Sequence, residues 1–398
     1  MTSGISPAAE RTTRFHTPVA ANTRLRELVA RGARVLPLVV DRPTESGLDS
    51  DTPPAYGQVG RTGVALDSID DMRVLLSGIP LDKVSLSLSV DAVAAPLILL
   101  YQLVAEEQGV PAERLRGSVR NDVLKEFITP GGTCLFPPAP SMRLTRDVLR
   151  YCRTGLPRWD VVSVCGHQLA EAGADPAQEV AFALTNGIAY VRTAAAAGVF
   201  VPRLALCLAD GGNQAAVLAK FRAARRIWTR AMVEQFGPDR AGRAVLRRRV
   251  PSPWGVAAPR TGRPWPRADD SQEIEAAAVT LMDDIEGLGG AVRAVERRFQ
   301  STALSADIRP PGLPRVATPG PEAHAAHRRQ TERLAKLRAW RVQSAVDDAL
   351  IRLERAARVD QNVMVPMRSA LAASATVGEI CETLRGVWGT YPSLPGGR

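Results

Sequence analysis

Short apolar runs alternate with amphipathic stretches from residue 24 to about residue 249. The runs are rich in Val and Leu, which is typical of buried parallel strands, and the periodic stretches between them predict helices. Six strand–helix units of this size favour an α/β fold, a (β/α) TIM-type barrel that is incomplete or modified. The predicted strands are residues 34–40, 84–90, 115–120, 161–166, 203–208 and 244–249.

Helical periodicity continues after the barrel-like part, and several helices carry recognisable caps. We expect Ser141 and Ser271 to cap the helices that they begin, and Thr376 to cap a short helix near the end. A long charged helix is expected over residues 322–355, with two shorter helices around Pro366 and Thr376. The other predicted helices are residues 70–76, 95–107, 141–153, 175–189, 214–235 and 271–299.

Composition shifts divide the chain into four expected segments. Residues 1–20 form a flexible arm, and residues 21–250 form the barrel-like domain. Residues 251–270 are Pro-rich and without periodicity, as in a linker. Residues 271–398 form a C-terminal helical region.

The net charge and its distribution indicate which kinds of binding partner to expect. The chain has 51 basic and 41 acidic residues, a net charge of +10 and a pI of about 9.9. Basic residues are not interleaved with aromatic ones, so nucleic acid is not the expected partner, and the phosphates of a ligand such as CoA remain an option. No apolar run reaches about 18 residues, so we expect no membrane span.

Cysteine and histidine usage indicates a reducing compartment and no metal site. The five cysteines are scattered and odd in number, which favours free thiols in the cytoplasm. The first 25 residues are polar, with no apolar signal core. Only four histidines and no C-x-x-C pair are present, so a zinc site is not expected.

Several ordered motifs resemble the barrel domain of the methylmalonyl-CoA mutase family of coenzyme-B12-dependent acyl-CoA mutases. They are GSVRNDVLKEF from residue 117, FPPAPSMRL from 136, GHQLAEAGAD from 166, YVRTAAAAG from 190 and KFRAARRIW from 220. The resemblance implies a TIM barrel that binds acyl-CoA along its axis and an isomerase of the intramolecular transferase type. It also implies adenosylcobalamin, delivered by a flavodoxin-like domain.

The chain departs from the family pattern in ways that matter for chemistry. The cobalt-ligating D-x-H-x-x-G signature is not found, so adenosylcobalamin is expected only from a separate B12-binding subunit. RRRVPSPWG stands where the family has H-C-Q-T-S-G, and the N-terminal tyrosine strip and the motifs of the last two barrel strands are also missing. Open sheet edges must be covered, which suggests a homodimer or hetero-oligomer.

Two residues are predicted to be catalytic. By resemblance, Arg192 pairs with a substrate carboxylate, a task that suits the guanidinium fork. His167 stands where the family has tyrosine, at the end of a strand, and is a candidate acid–base group. Arg42 replaces an aliphatic residue that faces the corrin ring, which argues against the usual cobalamin docking. The predicted substrate-binding residues are Arg192, Gln168, Asn121, Ser141, Arg143 and Asn213.

Two functions therefore stay open. The first is a methylmalonyl-CoA mutase-like isomerase whose radical chemistry is lost or altered, working with a B12-domain subunit if at all. The second is a non-mutase enzyme or an inactive homologue. It would bind a carboxylate or acyl-CoA through His167 and Arg192, or serve as a partner or scaffold subunit.

Overall fold

Parallel strands form the centre of the fold. The computed structural model describes residues 17–199, 203–209, 214–238, 245–248, 270–305 and 321–391. Within these residues a four-stranded sheet has the order β1-β2-β3-β4, and a three-stranded sheet has the order β5-β6-β7. The strands are β1 (Val35–Leu38), β2 (Ser85–Leu88), β3 (Arg116–Val119), β4 (Trp159–Asp160), β5 (Ser163–Cys165), β6 (Arg203–Cys207) and β7 (Val245–Arg248).

The two sheets meet at one interrupted strand. β4 pairs with β3, and β5 follows after a gap of two residues. The Ser163 backbone N–H donates to the Arg120 carbonyl at 2.7 Å, so β5 continues beside the end of β3. The strands thus occupy six parallel positions of an incomplete (β/α) barrel. This confirms the predicted fold class.

Helices surround the strands in the expected alternation. They are α1 (Pro18–Ala30), α2 (Arg42–Glu45), α3 (Ile69–Leu76), α4 (Ala94–Glu107), α5 (Val123–Glu126), α6 (Pro138–Gly155), α7 (Gly166–Glu171), α8 (Pro176–Ala196), α9 (Gln214–Phe236), α10 (Ser271–Gly287), α11 (Ala291–Glu296), α12 (Phe299–Ser305), α13 (Pro321–Trp340), α14 (Gln343–Arg358), α15 (Met364–Ala372) and α16 (Val377–Trp388).

Some predicted helix boundaries were wrong. α6 begins at Pro138 rather than at a Ser141 cap, because proline is pre-organised for the first helical turn. Asp270, not Ser271, is the N-cap of α10. The predicted 271–299 helix ends at Gly287, where Gly289 and Gly290 adopt φ of 99° and 88°.

The long charged helix is also interrupted. α13 ends at Trp340 and α14 begins at Gln343. Between them, Arg341 donates to the Glu379 carboxylate at 2.6 and 2.8 Å, a tertiary contact that local periodicity does not reveal. The Thr376 cap is confirmed, since its hydroxyl accepts from the Glu379 N–H at 3.1 Å.

Two hydrophobic clusters form the core. The first joins β1–β4, α3 and α4 to α14–α16, and the second joins β5, β6, α8 and α9 to α10 and α11. The C-terminal helices therefore pack onto both halves of the barrel-like part. The predicted segment boundaries at residues 20, 250 and 270 stay predictions.

Gly117 makes room for an aromatic side chain in β3. A Cβ at this position would overlap the indole ring of Trp159, its partner on β4, which also lies 5.4 Å from the Tyr101 ring. We expect Gly117→Ala to lower the free energy of unfolding by about 1–3 kcal/mol, since overpacking forces neighbours to move. Urea unfolding followed by far-UV circular dichroism measures the change.

Gly386 in α16 is the matched control. It is exposed, and an added Cβ meets nothing within 4 Å. Gly386→Ala is expected to raise the free energy of unfolding by about 0.5–1 kcal/mol through helix propensity. Equal effects of the two substitutions would contradict the steric account of Gly117.

Candidate functional site

Three short helices follow strand ends on one side of the sheet. α2 follows β1, α5 follows β3 and α7 follows β5. In (β/α) barrels this carboxyl-terminal side carries the active site. The three helices and the residues after β2 surround a cavity of about 220 Å³, whose charged and amide side chains are Arg42, Glu45, Asp91, Arg120, Lys125, Glu126 and Gln168.

Asp91 is the centre of a buried ion-pair cluster. Its Oδ2 accepts from Arg120 Nε at 2.6 Å and from Lys125 Nζ at 3.1 Å, and its Oδ1 accepts from the Asp122 N–H at 2.8 Å. Burial acts to raise the pKa of Asp91, but Arg120 and Lys125 outweigh it and hold that pKa below its usual range. Asp91 is therefore ionised at neutral pH.

Lys125 ties two of the short helices together. Its side chain is 2% exposed, pairs with Glu126 and donates to Gln168 Oε1 at 2.8 Å. Burial acts to lower the pKa of Lys125, but Asp91 and Glu126 raise it above its ordinary value. The ammonium group is thus charged and fixed.

Glu45 is the acidic residue of the cavity without a partner. Its carboxylate makes no hydrogen bond or ion pair with any described residue. Burial raises the pKa of Glu45 to about 7, while nearby Arg120 acts to lower it and Glu126 to raise it. This carboxyl group therefore changes its charge near neutral pH.

Arg42 lies one helical turn before Glu45 on α2 and lines the same cavity. Its Nη2 donates to the Gly131 carbonyl at 3.0 Å, and no described carboxylate pairs with it. Gly131 takes a φ of 74°, in the left-handed region that favours glycine, so the loop can turn back over α5. The remaining guanidinium N–H groups are available to a ligand.

His167 lies beside the cavity rather than in its lining. Its buried Nδ1 has no hydrogen-bond partner among the described residues. Burial, together with the charges of Lys125 and Arg120, lowers the pKa of His167 to about 3. A neutral imidazole of this kind is a weak proton acceptor near pH 7, so its acid–base role stays a prediction without electrostatic support.

Gln168 and Asn121 lie near the cluster. Gln168 lines the cavity, and its predicted role in substrate binding stays a prediction, as does that of Asn121. Asn121 is buried with a φ of 49°, and its Nδ2 has no partner among the described residues. Asp122, next to it, joins the end of β3 to β5 and α8, since it accepts from the Cys165 N–H at 2.8 Å and from the Tyr190 hydroxyl at 2.7 Å.

The other predicted site residues lie elsewhere. Arg192 is 40% exposed and donates to Gln235 at 2.8 Å and to Glu286 at 2.7 Å, between α8, α9 and α10. Ser141 donates to the Phe136 carbonyl at 3.2 Å. These contacts give no support to a substrate role, which stays a prediction.

Arg143 also makes contacts that stabilise the fold. It donates to the carbonyls of Ala356 and Ala357 at the end of α14 and lies 5.3 Å from the Trp388 ring centroid. Such contacts satisfy carbonyl groups that the helix leaves unpaired. Its predicted substrate role stays a prediction, and Asn213 lies outside the described residues.

Sequence reasoning missed Glu45, Asp91 and Arg120. A signal was present, since Asp91 directly follows a predicted strand, Arg120 closes one and Glu45 lies in the segment after one, where parallel strands bring loops together. Pairing among them could not be read from the sequence, because it depends on the register of β1, β2 and β3.

A second feature is a groove of about 430 Å³ on the inner face of the first sheet. Register aligns Pro37, Ser87, Ser118 and Asp160 in one row across four strands. The alternate residues, including Leu36 and Leu86, belong to the hydrophobic core. Small polar side chains thus line the part of the inner face that β2, β3 and β4 form.

The described residues show neither a metal centre nor a spanning helix. No three or more His, Cys, Asp and Glu side chains among them are grouped so as to hold a metal ion. None of the helices in the described part of the chain combines the length and apolar character that a bilayer crossing requires.

Comparison with known proteins gives one consistent result. A family profile for methylmalonyl-CoA mutase matches residues 9–251 and 315–390, more than half of the chain. The methylmalonyl-CoA mutase large subunit of Streptomyces virginiae is 42% identical over 237 residues, covering 58% of this chain and 32% of that protein. Methylmalonyl-CoA mutase of Rhizobium meliloti (strain 1021) is 40% identical over 237 residues, covering 58% and 33%.

A more distant match extends further. The mitochondrial methylmalonyl-CoA mutase of Homo sapiens is 28% identical over 465 aligned positions, covering 95% of this chain and 62% of that protein. The chain thus spans about a third of the length of the bacterial relatives above in the aligned region.

Proposed function

Since the chain belongs to the methylmalonyl-CoA mutase family, we propose that it binds an acyl-CoA thioester along the inner face of the first sheet. The acyl end would enter the cavity above α2 and α5. The observation that carries this proposal is the row of small polar side chains on the inner face. Serine hydroxyls both leave room for a narrow ligand and can hydrogen-bond to its amides.

The same strand face leads from the groove to the cavity. Arg116, Ser118 and Arg120 alternate along β3 and its end, so strand geometry directs them to one side. Arg116 lines the groove and Arg120 lines the cavity. At about 3.3 Å per residue, the two ends lie roughly 13 Å apart, a span suited to an extended chain.

Two arginines stand at the entrance of the groove. Arg116 and Arg158 are exposed, and no described carboxylate pairs with either. Guanidinium groups are well suited to phosphate oxygens. They would hold the phosphates of a CoA ligand at the amino-terminal ends of the strands.

Cobalamin does not fit the described residues well. By resemblance, adenosylcobalamin would supply radical chemistry when bound, with its corrin ring over the end of β1. Arg42 lies there, held by the Gly131 carbonyl, and a guanidinium group is a poor surface for an apolar ring face. No step of the proposed function involves this cofactor.

Subunit partners are part of the proposal. In the described residues β1 and β7 each have a single strand neighbour within their sheets, so their outer edges could accept further structure. The predicted homodimer or hetero-oligomer, and a B12-domain subunit, remain candidates. Light scattering of the purified chain, alone and mixed with a B12-domain protein, tests both.

The test of acyl-CoA binding is calorimetric titration with propionyl-CoA and with propionyl-pantetheine, which lacks the nucleotide. Ser118→Leu should abolish binding of both ligands because it fills the groove. The double variant Arg116→Glu/Arg158→Glu should weaken propionyl-CoA at least about tenfold, through loss of charge-assisted bonds, and leave propionyl-pantetheine unchanged.

A matched control separates this effect from general charge. Arg222 and Arg352 are exposed and without an ion pair in the described residues, so Arg222→Glu/Arg352→Glu makes the same change of charge elsewhere. Equal weakening by both double variants would count against the entrance site. Absence of binding to the well-folded parent protein would overturn the proposed function.

A further inference from the structure

Arg42 and Glu45 are the charged cavity residues that the ion-pair cluster leaves uncommitted. Asp91 pairs with Arg120 and Lys125, and Glu126 pairs with Lys125. Glu45 has no hydrogen-bond or ion-pair partner among the described residues, and Arg42 donates one hydrogen bond, to the Gly131 carbonyl. A carboxylate and a guanidinium group that line one small cavity without pairing with each other can both contact the same bound ligand.

We infer that Glu45 is a general base that removes a proton from the carbon next to the thioester carbonyl of the bound acyl group. Arg42 would stabilise the enolate oxygen that forms. The inference rests on the proposed function, because the acyl group must reach the cavity through the groove. It adds an activity, enolisation of the acyl thioester, that needs no cofactor.

The step balances without another reactant. The Glu45 carboxylate takes the proton while the C–H bond breaks, and that electron pair forms the carbon–carbon double bond of the enolate. The carbonyl π electrons move to oxygen, which the Arg42 guanidinium faces as a hydrogen-bond donor. The Glu45 carboxylic acid then returns a proton to the same carbon, so hydrogen exchanges with solvent.

The electrostatics of the cavity suit this assignment. Preorganised cations stabilise a developing oxyanion, and Arg42, Arg120 and Lys125 supply positive charge on α2, after β3 and on α5. Asp91 and Glu126 face the same space, and their charges are held by those cations. A carboxylate with a pKa near 7 accepts protons efficiently at neutral pH, whereas His167 does not.

The size of the cavity limits the acyl group. Its volume of about 220 Å³ corresponds to roughly seven waters at about 30 Å³ each. Short acyl groups of a few carbons therefore fit. Propionyl-CoA is a suitable probe because it carries two exchangeable hydrogens on the reacting carbon.

The experiment is deuterium incorporation into propionyl-CoA in D₂O, followed by mass spectrometry, with binding measured on the same samples. We expect exchange above the uncatalysed rate, rising with pH through about 7 to a plateau, since the base acts when ionised. Glu45→Gln should lower the rate by about 10²–10⁴-fold while leaving binding within about threefold. Glu45→Asp should retain part of the activity.

Glu171 supplies the matched control. Glu171 is an exposed carboxylate on α7 that does not line the cavity. Glu171→Gln should leave exchange unchanged. If Glu45→Gln unfolds, acetate added to Glu45→Ala should restore exchange in a folded variant.

The outcomes separate the two proposals. Binding of propionyl-CoA without exchange overturns the general-base role and leaves the proposed function standing. Exchange that Glu45→Gln does not reduce also overturns it. Absence of binding at millimolar propionyl-CoA overturns both.

Discussion

Lys220→Met is expected to lower the free energy of unfolding by about 3–5 kcal/mol, because it leaves a buried carboxylate unpaired. Lys220 Nζ lies 2.6 Å from Glu179 Oε2, and each side chain is 1% exposed. Lys220 also donates to the Ala209 carbonyl, and Glu179 Oε1 accepts from the Ala209 N–H at 2.5 Å. The pair therefore fixes the chain after β6 between α8 and α9.

Chemical unfolding of the variant against its controls measures this effect. Arg222→Met removes an exposed cation on the same helix and should change stability by no more than about 0.5 kcal/mol. The double variant Glu179→Gln/Lys220→Met removes both charges and should regain part of the loss. A loss in Lys220→Met no greater than in Arg222→Met would refute the buried pair.

Asp91→Asn is expected to cost about 3 kcal/mol of unfolding free energy at neutral pH, since two cations lose their shared carboxylate. The amide keeps the shape but presents a neutral group to Arg120 and Lys125. Glu126 compensates Lys125 alone. The loss should also disorder the cavity and weaken any ligand bound there.

The pH dependence gives this prediction a second readout. The pKa of Asp91 is lower in the folded protein than in the unfolded chain, so its stabilisation is fully present above the unfolded pKa, about 3.9. That stabilisation disappears as the pH falls through the folded pKa. The difference between the two proteins should therefore shrink in acid, below about pH 4.

Asp70 provides the matched control for Asp91. It forms an exposed ion pair with Arg73, at 2.6 Å with both side chains nearly half exposed. Surface pairs of this kind contribute about 0–1 kcal/mol, so Asp70→Asn should have a small effect. If Asp70→Asn and Asp91→Asn lowered the free energy of unfolding by similar amounts, burial would not determine how much an ion pair contributes to stability.

The site could be located from the sequence only in outline. Arg42 and Gln168 were singled out by motif, Lys125 and Glu126 belong to the motif GSVRNDVLKEF, and all four line the cavity. Glu45 stands in the same run as Arg42, but nothing local reveals that it lacks a partner. Arg192 carries a family motif, yet in the structure it pairs with Glu286 on a helix far along the chain.

The sequence by itself determined the six parallel strand positions and the family, because apolar runs and motifs can be recognised without knowledge of how the chain packs. The tertiary structure alone decided which charges meet. Asp91 follows β2, whereas Arg120 and Lys125 follow β3, and these residues become partners only when β2 and β3 pair in register. The pKa values of these groups also depend on the fold, because desolvation and ion pairing shift them only once the chain has buried the groups.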